Sequence, residues 1–187
     1  MLIDEGGSRT ELLLVSLKNE GFEIAGRVSC SDDLISGIEQ YQPEVLLIDM
    51  ESPDEKIFDQ LVQVSNESPK PVVFFADKGE IAIINKAVKA GVGAFIVDGL
   101  TARKLKPVIE LAIARFNEMR SLYNELNETK NRLDERKVVE RAKGILMNRK
   151  SISEDTAYKA LRKLAMEQNK KLVDVARSTI ELAELFD

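Results

Sequence analysis

Histidine is absent from the 187 residues, and cysteine occurs once, at Cys30. With no imidazole and a single thiol, the chain cannot build a zinc site of His and Cys ligands, nor a Ser-His or Cys-His catalytic triad. Most hydrolase chemistries are excluded with them. A lone cysteine forms no internal disulfide, and a reducing cytoplasm fits that usage best. There is no run of about eighteen apolar residues and no signal-peptide start, so the chain reads as neither membrane-spanning nor secreted. What it does have is 44% hydrophobic residues, enough for one large core or two small ones.

The net charge of −5 conceals an asymmetry. Residues 1–116 carry 12 basic against 19 acidic side chains, a net of −7, whereas residues 117–187 carry 15 against 13, a net of +2. Between 136 and 177 the balance is 12 to 5, a net of +7. Two parts of opposite sign meet different partners, unless the positive part is only a solvated helical surface.

In the first part, short apolar runs alternate with helical patterns. MLID (1–4), FEIAGRVS (22–29), PEVLLIDM (43–50), PVVFFAD (71–77) and GAFIVD (93–98) read as strands. TELLLVSLKNEG (10–21), SDDLISGIEQY (31–41, with Ser31 or Asp32 as N-cap) and stretches at about 54–66, 79–90 and 101–116 read as helices. Five β-α units in this length predict a flavodoxin-like, doubly wound α/β domain with a parallel sheet covered on both faces. The chain starts three residues before Asp4, which leaves room for a first strand shortened at its start.

In such sheets the working residues lie at the carboxyl ends of the strands. Asp4, Glu5, Asp49, Asp77 and Asp98 all fall there. Clustered carboxylates repel unless a divalent cation or solvation offsets them. The pattern resembles the receiver domain of two-component response regulators. The resemblance implies that Asp4 and Glu5 form the acidic pair, with Asp49 in LLIDM as phosphoacceptor and Mg²⁺ held by Asp4, Glu5 and Asp49. Two further positions depart from it: Ala76 stands where a hydroxyl residue is expected, and Asp98 where a lysine is. Their loss removes the contacts that read a phosphoryl group, which favours a pseudo-receiver whose acidic site is vestigial or contacts a partner.

From about Leu105 the pattern becomes one unbroken helix. Ile109, Ala112, Phe116, Met119, Tyr123, Leu126 and Leu133 recur at spacings of three and four, with Lys130 in the remaining seam slot. This predicts a coiled-coil helix over 109–135 and a homodimer formed through it.

Three further helical segments follow: ERKVVERAKGILMNRK, SISEDTAYKALRKLAMEQN and KKLVDVARSTIELAELF. Ser153 suits an N-cap, with Glu154 and Asp155 in the first turn and Asn169 near the break. The expected core stripes are Ala157, Ala160, Leu161, Leu164 and Ala165 on one helix, and Leu172, Val175, Ala176, Ile180 and Ala183 on the next. Ile145 and Leu146 should close the bundle, Met147 and Met166 should fill its core, and Gly144 should let helices approach closely. The string ERAKGILM…SEDTAYKALRKLAMEQNKKLVDVA resembles the ANTAR domain, the RNA-binding module of the AmiR and NasT antitermination regulators. The likeness covers about residues 126–187. Together with a receiver-like domain at 1–116 and the linking helix, it resembles the AmiR/NasT family architecture. The VDGL stretch points to the NasT-type branch.

The resemblance implies a non-enzymatic antiterminator that binds hairpins in leader RNA and requires no cofactor. A nitrate- or nitrite-sensing, or other small-ligand-sensing, partner protein would restrain it, and nitrate assimilation genes would be its targets. Cations for phosphates and a few groups for loop bases are the expected chemistry. The candidates are Arg136, Lys137, Arg141, Lys143, Arg149, Lys150, Tyr158, Arg162 and Lys163, with Lys170 and Lys171 beside them. Tyr158 is the only aromatic of the bundle apart from Phe186, so extended aromatic stacking is excluded. Two other readings remain open: a response regulator switched by phosphorylation of Asp49, and DNA binding through the last two helices.

Overall fold

The computed structural model describes residues 1–97 and 102–185. The chain divides into two compact units, Met1–Arg120 and Ser121–Asp187.

The first unit contains β1 (Leu2–Asp4), α1 (Ser8–Asn19), β2 (Arg27–Ser29), α2 (Leu34–Tyr41), β3 (Leu46–Asp49), α3 (Glu55–Glu67), β4 (Val72–Ala76), α4 (Ile81–Lys89) and β5 (Ala94–Val97). It also takes in the start of α5 (Ala102–Lys150). All strand pairs are parallel, in the order β2-β1-β3-β4-β5. This is the flavodoxin-like order that the alternating pattern predicts.

Because side chains alternate across a sheet, each strand feeds two cores. Ile3, Ile48, Phe74 and Ala76 pack under α2, α3 and α4, with Leu34, Ile38, Ile57, Leu61 and Ala87 from those helices. Leu2, Leu47, Val73 and Phe75 pack on the other face, against Leu17 of α1 and Leu105, Ile109 and Ala112 of α5. Phe74 stacks between Phe58 and Phe95, with ring centroids 6.3 and 5.2 Å away.

Two local expectations are corrected. The N-cap of α2 is Asp33, not Ser31 or Asp32, because the Asp33 carboxylate accepts from the Ile35 and Ser36 amides. Strand β2 is only three residues long, since residues 22–25 of the expected strand pair with no neighbouring strand.

In the second unit, the end of α5 packs with α6 (Glu154–Gln168) and α7 (Leu172–Glu184). Ser153 caps α6 by accepting from the Thr156 amide, and Asn169 ends that helix in the left-handed conformation at φ 51°. The core is Ala142, Leu161, Ala165, Val175, Ala176 and Ile180, with Ile145 and Leu146 partly buried against it. The α6 stripe is narrower than expected. Ala157, Leu161 and Ala165 are buried, but Ala160, Leu164 and Met166 are exposed. The spacing of four residues among the buried three leaves the adjacent positions on the rim of the contact face. Gly144 also departs from expectation: an added Cβ there would meet no atom within 4 Å, so no helix packs against it in this unit.

Candidate functional site

The strand alternation that builds the core also gathers the acidic residues. Leu2 and Asp4 point to one face of β1, and Leu47 and Asp49 to the same face of β3. Asp4 and Asp49 are register partners in adjacent parallel strands, and each is only 4% exposed. Two ionised carboxylates in that position need opposite charge beside them.

Two arginines supply it. Arg27 pairs in register with Leu2, so its side chain lies on the same face and runs along the strand to Asp4. Its Nε donates to Asp4 Oδ2 at 2.6 Å, its Nη2 to Oδ1 at 2.8 Å, and its Nη1 to Glu11 Oε1 at 2.9 Å. The Gly6 amide adds a bond to Asp4 Oδ1 at 2.7 Å. Those bonds to Asp4 and then Glu11 hold the guanidinium well above its ordinary pKa. On α1, Arg9 Nε donates to Asp49 Oδ1 at 2.8 Å, and Thr10 Oγ1 donates to Asp49 Oδ2 at 2.9 Å. Arg9 also pairs with Asp77.

The donor set therefore fits an open Mg²⁺ site poorly. All four oxygens of Asp4 and Asp49 are engaged by protein donors, and Glu5 Oε2 accepts from the Glu51 amide at 3.4 Å. Among the described residues no three His, Cys, Asp or Glu side chains are grouped to hold a metal. Ala76 is buried at the end of β4, leaving no hydroxyl there. Asp98, the residue in the lysine position, lies outside the described residues. Burial, and then the charges of Glu5, Asp4, Asp49 and Asp54, push the nearby Cys30 thiol up to about 12.

In the second unit the candidate cations separate into two sets. Lys143 is only 7% exposed, its ammonium held by Glu140 at 2.8 Å and Glu154 at 2.7 Å. Hydrogen bonds to Glu140 and then Glu154 raise the lysine's pKa, and Lys143 in turn lowers that of Glu154. Lys143 is thus a bundle-closing residue, which corrects its assignment as an exposed RNA contact. Arg141 reaches Glu184 at 2.6 Å, and Arg149 donates to the Ala183 carbonyl at 2.6 Å, so both tie the end of α7 to α5. The second set points outward. Arg136, Lys150, Arg162, Lys170 and Lys171 form no ion pair among the described residues. Lys137 and Lys163 make only surface pairs, with Asp134 and Glu167.

Residues 127–180, spanning this basic bundle, match the ANTAR domain family. An ANTAR domain occupies those residues. It follows a domain with the receiver strand order, and two relatives are regulatory proteins by name. The transcriptional regulatory protein PdtaR of Mycobacterium tuberculosis is 29% identical over 165 residues, covering 88% of this chain and 80% of the relative. The nitrate regulatory protein of Klebsiella oxytoca is 34% identical over 89 residues, covering 48% of this chain but only 22% of that protein. A CheY-like receiver domain from Methanospirillum hungatei superposes with a TM-score of 0.54 at 17% identity, over 63% of this chain and 94% of that one, a likeness of fold alone. No described helix of the chain is long and apolar enough to cross a membrane.

The residues missed by sequence reasoning are Arg9, Thr10 and Arg27. Arg27 had one usable signal, a charged residue inside an expected strand. Arg9 had none, since it reaches Asp49 across 40 residues of chain.

Proposed function

We propose that this chain is a homodimeric, non-enzymatic RNA-binding antiterminator that holds leader-RNA hairpins through its ANTAR domain. Its targets are nitrate or nitrite assimilation genes, and a ligand-sensing partner restrains it through the receiver-like domain. The observation that carries this reading is the match of residues 127–180 to the ANTAR family, on a bundle with uncommitted cations. Dimerisation is supported by Met119, Tyr123, Leu126 and Leu133, which form an exposed apolar stripe along α5. Control by a partner instead of phosphorylation is supported by Arg9 and Arg27, which occupy the carboxylates that a phosphoryl group and Mg²⁺ would need. The nitrate assignment follows the Klebsiella relative's name.

The test is a gel shift with the leader RNA of the transcription unit adjoining the gene, using wild type and an Arg162→Ala/Lys163→Ala variant across a salt series. Binding that falls log-linearly with salt, with a shallower slope in the variant, is expected. Absence of RNA binding overturns the proposal. A second reading, phosphorylation at Asp49, draws on the retained acidic pair. It requires acetyl phosphate to label Asp49 and tighten RNA binding.

A further inference from the structure

At the base of the bundle, a groove of about 450 Å³ opens between α5, α6 and the start of α7. Its apolar floor comes from Val139, Leu172 and Val173, and Tyr158 of α6 forms a wall at 40% exposure. Arg132, Arg136 and Lys171 stand around it with Glu135 and Glu140. Of these acids, Glu140 is already paired with Lys143. Arg132 makes an exposed pair with Glu128, whereas Arg136 and Lys171 have no ion-pair partner among the described residues. The cationic side therefore prevails.

No single simple ligand class accounts for this lining. A bare phosphate has no use for an aromatic wall and an apolar floor, and an apolar peptide has no use for three cations. A flat heteroaromatic ring with a phosphate attached uses both. At 3.6 residues per turn, Arg132, Arg136 and Val139 lie on a different face of α5 from Leu126 and Leu133, so a dimer seam along that stripe leaves the groove open. The first turn of α7 has no side-chain cap, so its amides add donors at the groove edge.

Resting on the RNA-binding function proposed above, we infer that this groove captures one unstacked loop base of the RNA. Tyr158 stacks on the base while Arg136 and Lys171 hold the adjoining phosphates. Stacking on an aromatic tolerates any base, whereas the cations fix where the backbone enters.

The test uses the full chain and stem-loop RNAs with a randomised loop, enriched on wild type. The selected RNA is then made abasic at each loop position in turn. Tyr158→Ala should weaken binding roughly ten- to hundredfold, while Tyr158→Phe stays close to wild type. One abasic position should cost wild type the same factor and cost Tyr158→Ala nothing further. Since the chain has no tryptophan, Tyr158→Trp gives a single tryptophan, excited selectively over the tyrosines, whose quenching by the RNA reports stacking even if the alanine variant folds poorly. If wild type binds but Tyr158→Ala binds equally well, or every abasic penalty adds to that of Tyr158→Ala, the base slot is wrong and RNA binding stands. If no stem-loop is enriched, the RNA reading fails and the slot with it.

Discussion

Arg9 Nε meets Asp49 Oδ1 at 2.8 Å, so a cation from α1 lies against the carboxylate where the receiver pattern places the phosphoacceptor. Removing Arg9 would leave Asp49 buried beside Asp4. Breaking a fully buried pair costs roughly 3–5 kcal/mol, but Arg9 is itself 40% exposed. Arg9→Ala should therefore cost about 1–2 kcal/mol in urea unfolding once solvent screening is discounted. Adding Asp49→Asn should recover most of that loss. If the double variant is less stable than Arg9→Ala, the charge-pair account fails.

Divalent cations should leave the wild-type melting temperature unchanged, in Mg²⁺ or in chelator. The Arg9→Ala/Arg27→Ala variant frees the oxygens of Asp4 and Asp49, and its melting temperature should rise with Mg²⁺ concentration as a ligand-linked shift. Differential scanning fluorimetry across a Mg²⁺ series distinguishes the two.

Gly144→Ala should raise stability by about 1 kcal/mol, because the new methyl meets open space and the helix loses a glycine. Chemical denaturation measures it, and a loss of stability would reveal a neighbour absent from the single chain.

Cys30 should react slowly with alkylating reagents at mildly alkaline pH. Its thiol is raised from 9.0 to about 12, which lowers the thiolate fraction on the order of a thousandfold. A raised acid favours the folded state below its unfolded pKa, and that contribution is lost as pH climbs toward 12. Native labelling as fast as labelling in urea would show the thiol to be solvated.

Asp33, the α2 cap, has its pKa lowered by the Ser36 hydroxyl and amide and then the Ile35 amide. Its contribution is present above the ordinary carboxylate pKa of about 4 and disappears as pH falls through the lower folded value. Asp33→Asn should therefore narrow the stability difference between neutral and acid pH, read from urea midpoints at both.

The sheet order and its two cores were readable because period-two runs alternating with helices leave few topologies. The acidic residues were readable because strand ends are marked by the same pattern. Their arginines were not, since Arg9–Asp49 and Arg27–Asp4 close across 40 and 23 residues and periodicity carries no information about such pairs. The bundle shows a similar division. A stripe tells which face of α6 turns inward, but its width depends on the partner helix, so Leu164 was assigned inward and lies outside. Charge counts likewise found a basic module without revealing that Lys143 is enclosed by two glutamates.

Arg141 and Arg149 fasten the last turn of α7, through Glu184 and the Ala183 carbonyl. Ionic strength therefore acts twice on this module, screening the outward cations from a polyanion and loosening the clasp on its own final helix. An arginine scan has the same double meaning. Alanine at Arg141 or Arg149 should act by fraying the end of α7, whereas alanine at Arg136 or Arg162 should leave helicity intact. Circular dichroism recorded beside each binding curve separates the clasp from the contact.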